Sequence, residues 1–235
     1  MMKLAVPAVL LGTAGLTLAT SGAKPIAVEQ YATQTVLQSV PSDQGGQIRL
    51  VLAPEGNAAR YRVREQLAGV DFPNDAVGVT SAISGAVVIA EDGRVVPGSS
   101  RFVVDVTTLK SDKERRDGYI QRRTLETEQF PTVELVPKEL RGLPTPLPTS
   151  GSMKFEMVGD LTVHGVTRLT TWRVSAVAEH GGFTGTATTS FRFDEFGLTK
   201  PRVAVVLSVA DTIALEYDFH LIPDSGVGSQ TGAQS

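Results

Sequence analysis

From Met153 to Val163 the chain alternates: Met153, Phe155, Met157, Leu161 and Val163 are apolar, while Lys154, Glu156, Asp160 and Thr162 are polar. A period of two is the signature of a strand that buries one face and wets the other. The same period returns in Phe183, Gly185, Ala187, Thr189, Phe191 and Phe193, and again in Ile213, Leu215, Tyr217, Phe219 and Leu221. Earlier, Ala59, Tyr61 and Val63 alternate with Arg60, Arg62 and Arg64, and Phe102, Val104 and Val106 follow suit. Between them, Val77, Val79, Ile83, Val87 and Ile89 are expected on one face of a long segment bent at Gly85. Glu91-Asp-Gly-Arg94, His164-Gly165 and His180-Gly-Gly182 supply the turns. The chain is therefore expected to be all-β and antiparallel.

About eight strands of this length must hide their edges. A closed, lipocalin-like, eight-stranded barrel does so, and its interior either fills with side chains or holds one slender ligand. The inward list mixes large residues (Tyr61, Phe155, Trp172, Phe191, Phe193, Tyr217, Phe219) with small ones (Gly85, Gly159, Gly185, Ala187). That mixture is compatible with a packed core and with a channel.

One segment breaks the pattern. Ser111-Asp-Lys-Glu114 has the form of a capping box, which predicts a helix over 111–123. Its mixed charges read as a solvated face. If the helix covers a barrel mouth, Arg116 and Arg122 are placed to meet an anionic headgroup.

The ends read differently. Lys3, the apolar run Leu4–Ala19 and small residues up to Ala23 form a secretory signal peptide over 1–23. Residues 24–46 are expected to be a flexible linker, 47–223 the barrel domain and 224–235 a disordered tail. The apolar run is short for a span, so no stable membrane segment is expected after cleavage. Export to the periplasm, envelope or exterior of a bacterium follows as the expected location. The absence of cysteine excludes disulfides, thiolate metal sites and a cysteine nucleophile. A net charge of −3 gives no basic excess for nucleic acid.

Catalytic signatures do not appear. His164, His180 and His220 are isolated and read as solvent-facing, and no H-x-x-x-H, G-x-S-x-G or P-loop occurs. Asp194 and Glu195 point to opposite faces if they lie on a strand, so they make no acid–base pair. No catalytic residue, metal ligand or cofactor is assigned.

Several segments together resemble the YceI-like family of exported bacterial lipid-binding barrels. They are Ser100-Arg-Phe-Val-Val-Asp-Val-Thr-Thr-Leu-Lys-Ser-Asp112, Arg116-Asp117, Thr124-Leu-Glu-Thr-Glu-Gln-Phe-Pro-Thr132, Gly159-Asp-Leu-Thr-Val-His-Gly-Val-Thr167 and Asp194-Glu-Phe-Gly197. The likeness runs from about Ala59 to Leu221. Two positions depart: Asn57-Ala58 stands where the family commonly has His-Ser, and Phe193 where it often has Arg. The resemblance implies an elongated barrel whose channel holds a long isoprenoid or similar amphiphile. The residues expected to line it are Tyr61, Phe102, Val104, Phe155, Trp172, Ala187, Phe191, Phe193, Tyr217 and Phe219. The implied partner is a hydrophobic small molecule such as an isoprenoid or quinone, and the implied activity is non-enzymatic binding. A filled core serving an envelope interaction protein is the alternative.

Overall fold

The structure, a computed structural model, describes residues 46–96 and 98–224. The signal peptide, nearly all of the linker and all but the first residue of the tail expected from sequence lie outside the described residues.

Eleven strands are present: β1 (Gln47–Leu52), β2 (Ala58–Leu67), β3 (Asn74–Thr80), β4 (Ile83–Ala90), β5 (Arg101–Asp105), β6 (Thr132–Arg141), β7 (Gly151–Val163), β8 (Val166–Glu179), β9 (Gly182–Arg192), β10 (Val206–Val209) and β11 (Thr212–Pro223). Three pairs act as interrupted single staves. β1 and β2 both run antiparallel to β11, β4 and β3 run antiparallel to β1 and β2 respectively, and β10 and β11 both pair with β2. The staves are thus β1/β2, β3/β4, β5, β6, β7, β8, β9 and β10/β11. Each pairs with the next in sequence, and β11 returns to β1, which closes an eight-stave antiparallel barrel. Closure removes the exposed edges that strands of 10–14 residues would otherwise present.

Local chemistry sets the sharp corners. His164-Gly165 and His180-Gly181 all have positive φ, the backbone of a two-residue type I′ hairpin, so β7–β8 and β8–β9 turn without splaying.

The long third segment departs from the expected pattern. Val77 and Val79 do not share a face with Ile83, Val87 and Ile89. β3 instead points Ala76, Gly78 and Thr80 inward, and Val79 is 39% exposed. The chain turns at Ser81-Ala82, where the Ile83 amide donates to the Ser81 carbonyl, and the parity flips between β3 and β4. A one-residue slip is enough to exchange the two faces of a strand.

The helix also differs in detail. Helix α1 spans Glu114–Tyr119 and continues as a wider π-type turn over Ile120–Thr124. The expected capping box is absent, and Lys113 occupies the N-cap position. The Ser111 hydroxyl instead donates to the buried Asp117 carboxylate at 2.6 Å, and the Ser111 amide donates to the same oxygen at 2.9 Å. His164 is no solvent-facing turn residue. Its Nε2 lies 2.6 Å from the Glu126 carboxylate and its ring packs on Phe130 at 4.4 Å, which ties the segment after the helix to the β7–β8 turn.

The core runs the length of the barrel. At one end Leu140, Leu143 and Leu147 pack against it, while at the other α1 and residues 198–206 fold over the mouth.

Candidate functional site: an apolar chamber

The barrel interior is not filled. Its helix-capped half holds a chamber of about 540 Å³, and the opposite half a second space of about 80 Å³. Phe102, Leu135 and Tyr217 border both. The Phe102 and Tyr217 ring centroids are 6.0 Å apart at 59°, and together these rings form a waist across the barrel.

The structure brings Tyr61, Val104, Trp172, Phe191 and Phe193 to the large chamber, with Phe102 and Tyr217 at its floor. Phe155, Ala187 and Phe219 line the small space beyond the waist. Ala187 faces Tyr217 across the β9–β11 pair, and Phe183 and Phe219 line the same space. Trp172 is 4% exposed, and its Nε1–H donates to the Thr170 hydroxyl, so the indole shows the chamber an apolar face.

The two arginines part company. Arg116 lines the mouth, and its guanidinium is already engaged: one nitrogen donates to Glu65 Oε1 at 2.7 Å, another to Asp112. Burial opposes the Arg116 charge, but the carboxylates of Glu65 and Asp112 outweigh it and hold the group cationic. Arg122 is exposed and outside the chamber wall, with its guanidinium lying over Gly118.

Sequence reasoning passed over four features of this site. Glu65 shares its strand parity with Tyr61 and Val63, so it points inward and is buried. A carboxylate on an apolar face was readable as a strand anomaly. Thr124 reaches the chamber from the π-type turn. Residues of the 198–206 segment, among them Leu198, Val203 and Val205, close the wall. Finally, three buried hydroxyl oxygens at this chamber have no hydrogen-bond partner among the described residues: those of Tyr61, Thr124 and Tyr217. Burial disfavours the phenolate at both tyrosines and pushes their ionisation above the ordinary range. At Tyr61 the nearby Arg116 opposes that push.

A mostly apolar room of this size can take up a mostly hydrocarbon molecule. The two carboxylates that line the chamber are each paired, Glu65 with Arg116 and Glu216 with Arg62. Among the described residues, no group of three His, Asp or Glu side chains is placed to hold a metal ion. No helix among them is long and apolar enough to cross a membrane.

The sequence profile of the YceI-like domain matches residues 51–221. A solved polyisoprenoid binding domain from Saccharophagus degradans, implicated in plant cell wall breakdown, superposes with a TM-score of 0.59 at 11% identity. The match covers 75% of this chain and 99% of that one. BcnA of Burkholderia cenocepacia superposes with a TM-score of 0.52 at 15% identity, over 69% of this chain and 95% of its own. No curated protein sequence matches significantly.

Proposed function

The chain belongs to the YceI-like family, and from that premise we propose that it is an exported carrier holding a long isoprenoid-type lipid or quinone inside its barrel. The observation that carries this reading is the large chamber. At about 540 Å³ it falls within the range of roughly 300–1,000 Å³ typical of ligand pockets, and hydrophobic side chains make most of its wall. The polyisoprenoid-binding relative with the same fold adds support for the ligand class.

The three unpaired hydroxyls narrow the chemistry further. A buried hydroxyl without a partner costs about 1–3 kcal/mol, and a carbonyl or ether oxygen on a guest relieves that cost. A pure hydrocarbon does not. Each oxygen is covered in the empty protein, so a side-chain rotation on binding is part of the assignment of Tyr61 and Thr124 to the polar end of the ligand and of Tyr217 to an oxygen nearer the waist. Arg116 is assigned to holding the helix over the mouth through Glu65. The ten aromatic and aliphatic liners are assigned to the hydrocarbon, with Phe155, Ala187 and Phe219 reached only by a tail that passes the waist. The upper chamber argues against the alternative of a filled core. Export rests on the apolar run Leu4–Ala19 and the small residues that follow it.

The protein carries its own probe, because Trp172 is the single tryptophan and lies in the chamber wall. Titration with a prenylated benzoquinone, which quenches indole fluorescence on contact, should give saturable quenching at one quinone per chain. Quenching that rises linearly without saturation, as in free collision, would contradict the proposal.

A further inference from the structure

The mouth of the chamber is apolar on its outside as well as its inside. Residues 203–207 read Val-Ala-Val-Val-Leu, and Val205 and Leu207 are each 66% exposed. β10 pairs with the end of β2, and the Ala68 amide donates to the Val205 carbonyl, which sets this run beside the β2–β3 turn. That turn exposes Val70 at 45% and Phe72 at 78%. Large aliphatic and aromatic side chains gathered this way on a surface mark an interaction site.

Two observations identify the partner. Val203 and Val205 belong both to this exposed rim and to the chamber wall, so the rim is continuous with the interior. A guest leaving an apolar phase against the rim would enter the chamber without crossing water. The flanks are also basic. Between Lys110 and Arg123 the chain carries six cations (Lys110, Lys113, Arg115, Arg116, Arg122, Arg123) against three anions (Asp112, Glu114, Asp117), a balance of +3 that falls to +2 once Glu65, the partner of Arg116, is counted, while the exposed turn itself carries Asp71. Lys113 and Arg115 are exposed at the mouth, and Arg202 on the rim segment lies next to Tyr119 of α1.

We propose that this rim docks on an anionic lipid bilayer, with Phe72, Val205 and Leu207 entering the headgroup boundary while Lys113, Arg115 and Arg202 meet the phosphates. The choice of a lipid surface rests on the carrier reading, since a lipid guest resides there. The test does not need a guest.

The chain has no cysteine, so one can be introduced for a polarity-sensitive dye. Ser208→Cys places it on β10 at the rim, and Ser152→Cys on the start of β7 at the opposite end of the barrel. Vesicles of phosphatidylglycerol and phosphatidylethanolamine should shift the Ser208→Cys dye to the blue and expose it to quenchers carried on the acyl chains. The Ser152→Cys dye should stay water-like, a distinction that capture through the N-terminal segment cannot mimic. Adding Val205→Asp and Leu207→Asp should weaken the response roughly tenfold or more, and high salt or uncharged phosphatidylcholine vesicles should also weaken it. A rim dye that stays water-like with vesicles present overturns the proposal. So does a blue shift that needs only higher protein concentration, which would make the rim a contact between two copies. Saturable quinone quenching of Trp172 alongside a silent rim dye would refute the docking while leaving the carrier reading intact.

Discussion

The Phe102 ring stands 6.0 Å from the Tyr217 ring and is inclined to it by 59°, and this pair divides the barrel interior. Above it lies a chamber of about 540 Å³, below it a space of about 80 Å³. On the carrier reading, the waist limits how far a long guest reaches into the barrel at rest. Phe102→Ala should join the two spaces. It should cost about 3–5 kcal/mol of stability, the usual range for a buried Phe→Ala change, and move the bound population toward longer chains. Thermal denaturation and mass spectrometry of the extracted lipid check both parts.

Tyr217 buries a hydroxyl that has no hydrogen-bond partner among the described residues. Tyr217→Phe removes it and should stabilise the empty protein by about 1 kcal/mol, while weakening uptake of a quinone but not of the corresponding hydrocarbon. The pH behaviour follows the same cause. Burial holds the folded phenol neutral above the ordinary tyrosine range, whereas in the unfolded chain it ionises near pH 10. Its contribution to stability is complete below the unfolded value and is lost as pH rises through the folded one. Chemical denaturation across alkaline pH should therefore show a shallower decline for Tyr217→Phe than for the natural chain.

The Glu65–Arg116 pair joins the inside of β2 to α1 across the mouth, with side chains only 8% and 16% exposed. Removing one partner strands the other charge. Glu65→Gln is expected to destabilise by about 3 kcal/mol or more, and to loosen the helix in hydrogen exchange. Changing both residues to methionine should recover most of that loss, because the desolvation penalty then disappears with the charges. Equal losses in single and double variants would show that the pair does not act as a unit.

Ala187 lies beyond the waist and is 3% exposed. Ala187→Phe should fill the lower space at a cost of about 1–3 kcal/mol from overpacking. Short-chain quinones should still quench Trp172, but long-chain ones should bind less well. Unchanged affinity for long chains would mean that the tail never passes Phe102 and Tyr217.

Much of this architecture was legible because a strand reports its inner face through simple parity. Tyr61, Phe191, Tyr217 and Phe219 fall inside for that reason, and Glu65, read with the same rule, declares itself an inward carboxylate. Parity fails where the chain slips, as at Ser81-Ala82, since nothing in Val77 and Val79 announces that the next strand is read from the other face. Ser111 offered a local capping partner in Glu114, yet the buried Asp117 carboxylate took its hydroxyl, because a desolvated charge gains more from a donor than a solvated helix end does. Thr124 enters the chamber through a π-type turn that carries no periodic signal, and the wall from Leu198 to Val206 is mostly irregular backbone. Whether an interior is packed or hollow depends on how side chains meet across the barrel, which no single strand reveals.

The most direct measurement is native mass spectrometry of the folded protein purified from the envelope of its natural host, followed by analysis of its organic extract. A stoichiometric adduct that disappears on denaturation, and that proves to be an isoprenoid-type lipid or quinone bearing an oxygen acceptor, is the predicted result. A clean mass of the protein alone, with no such molecule in the extract, would contradict the carrier account.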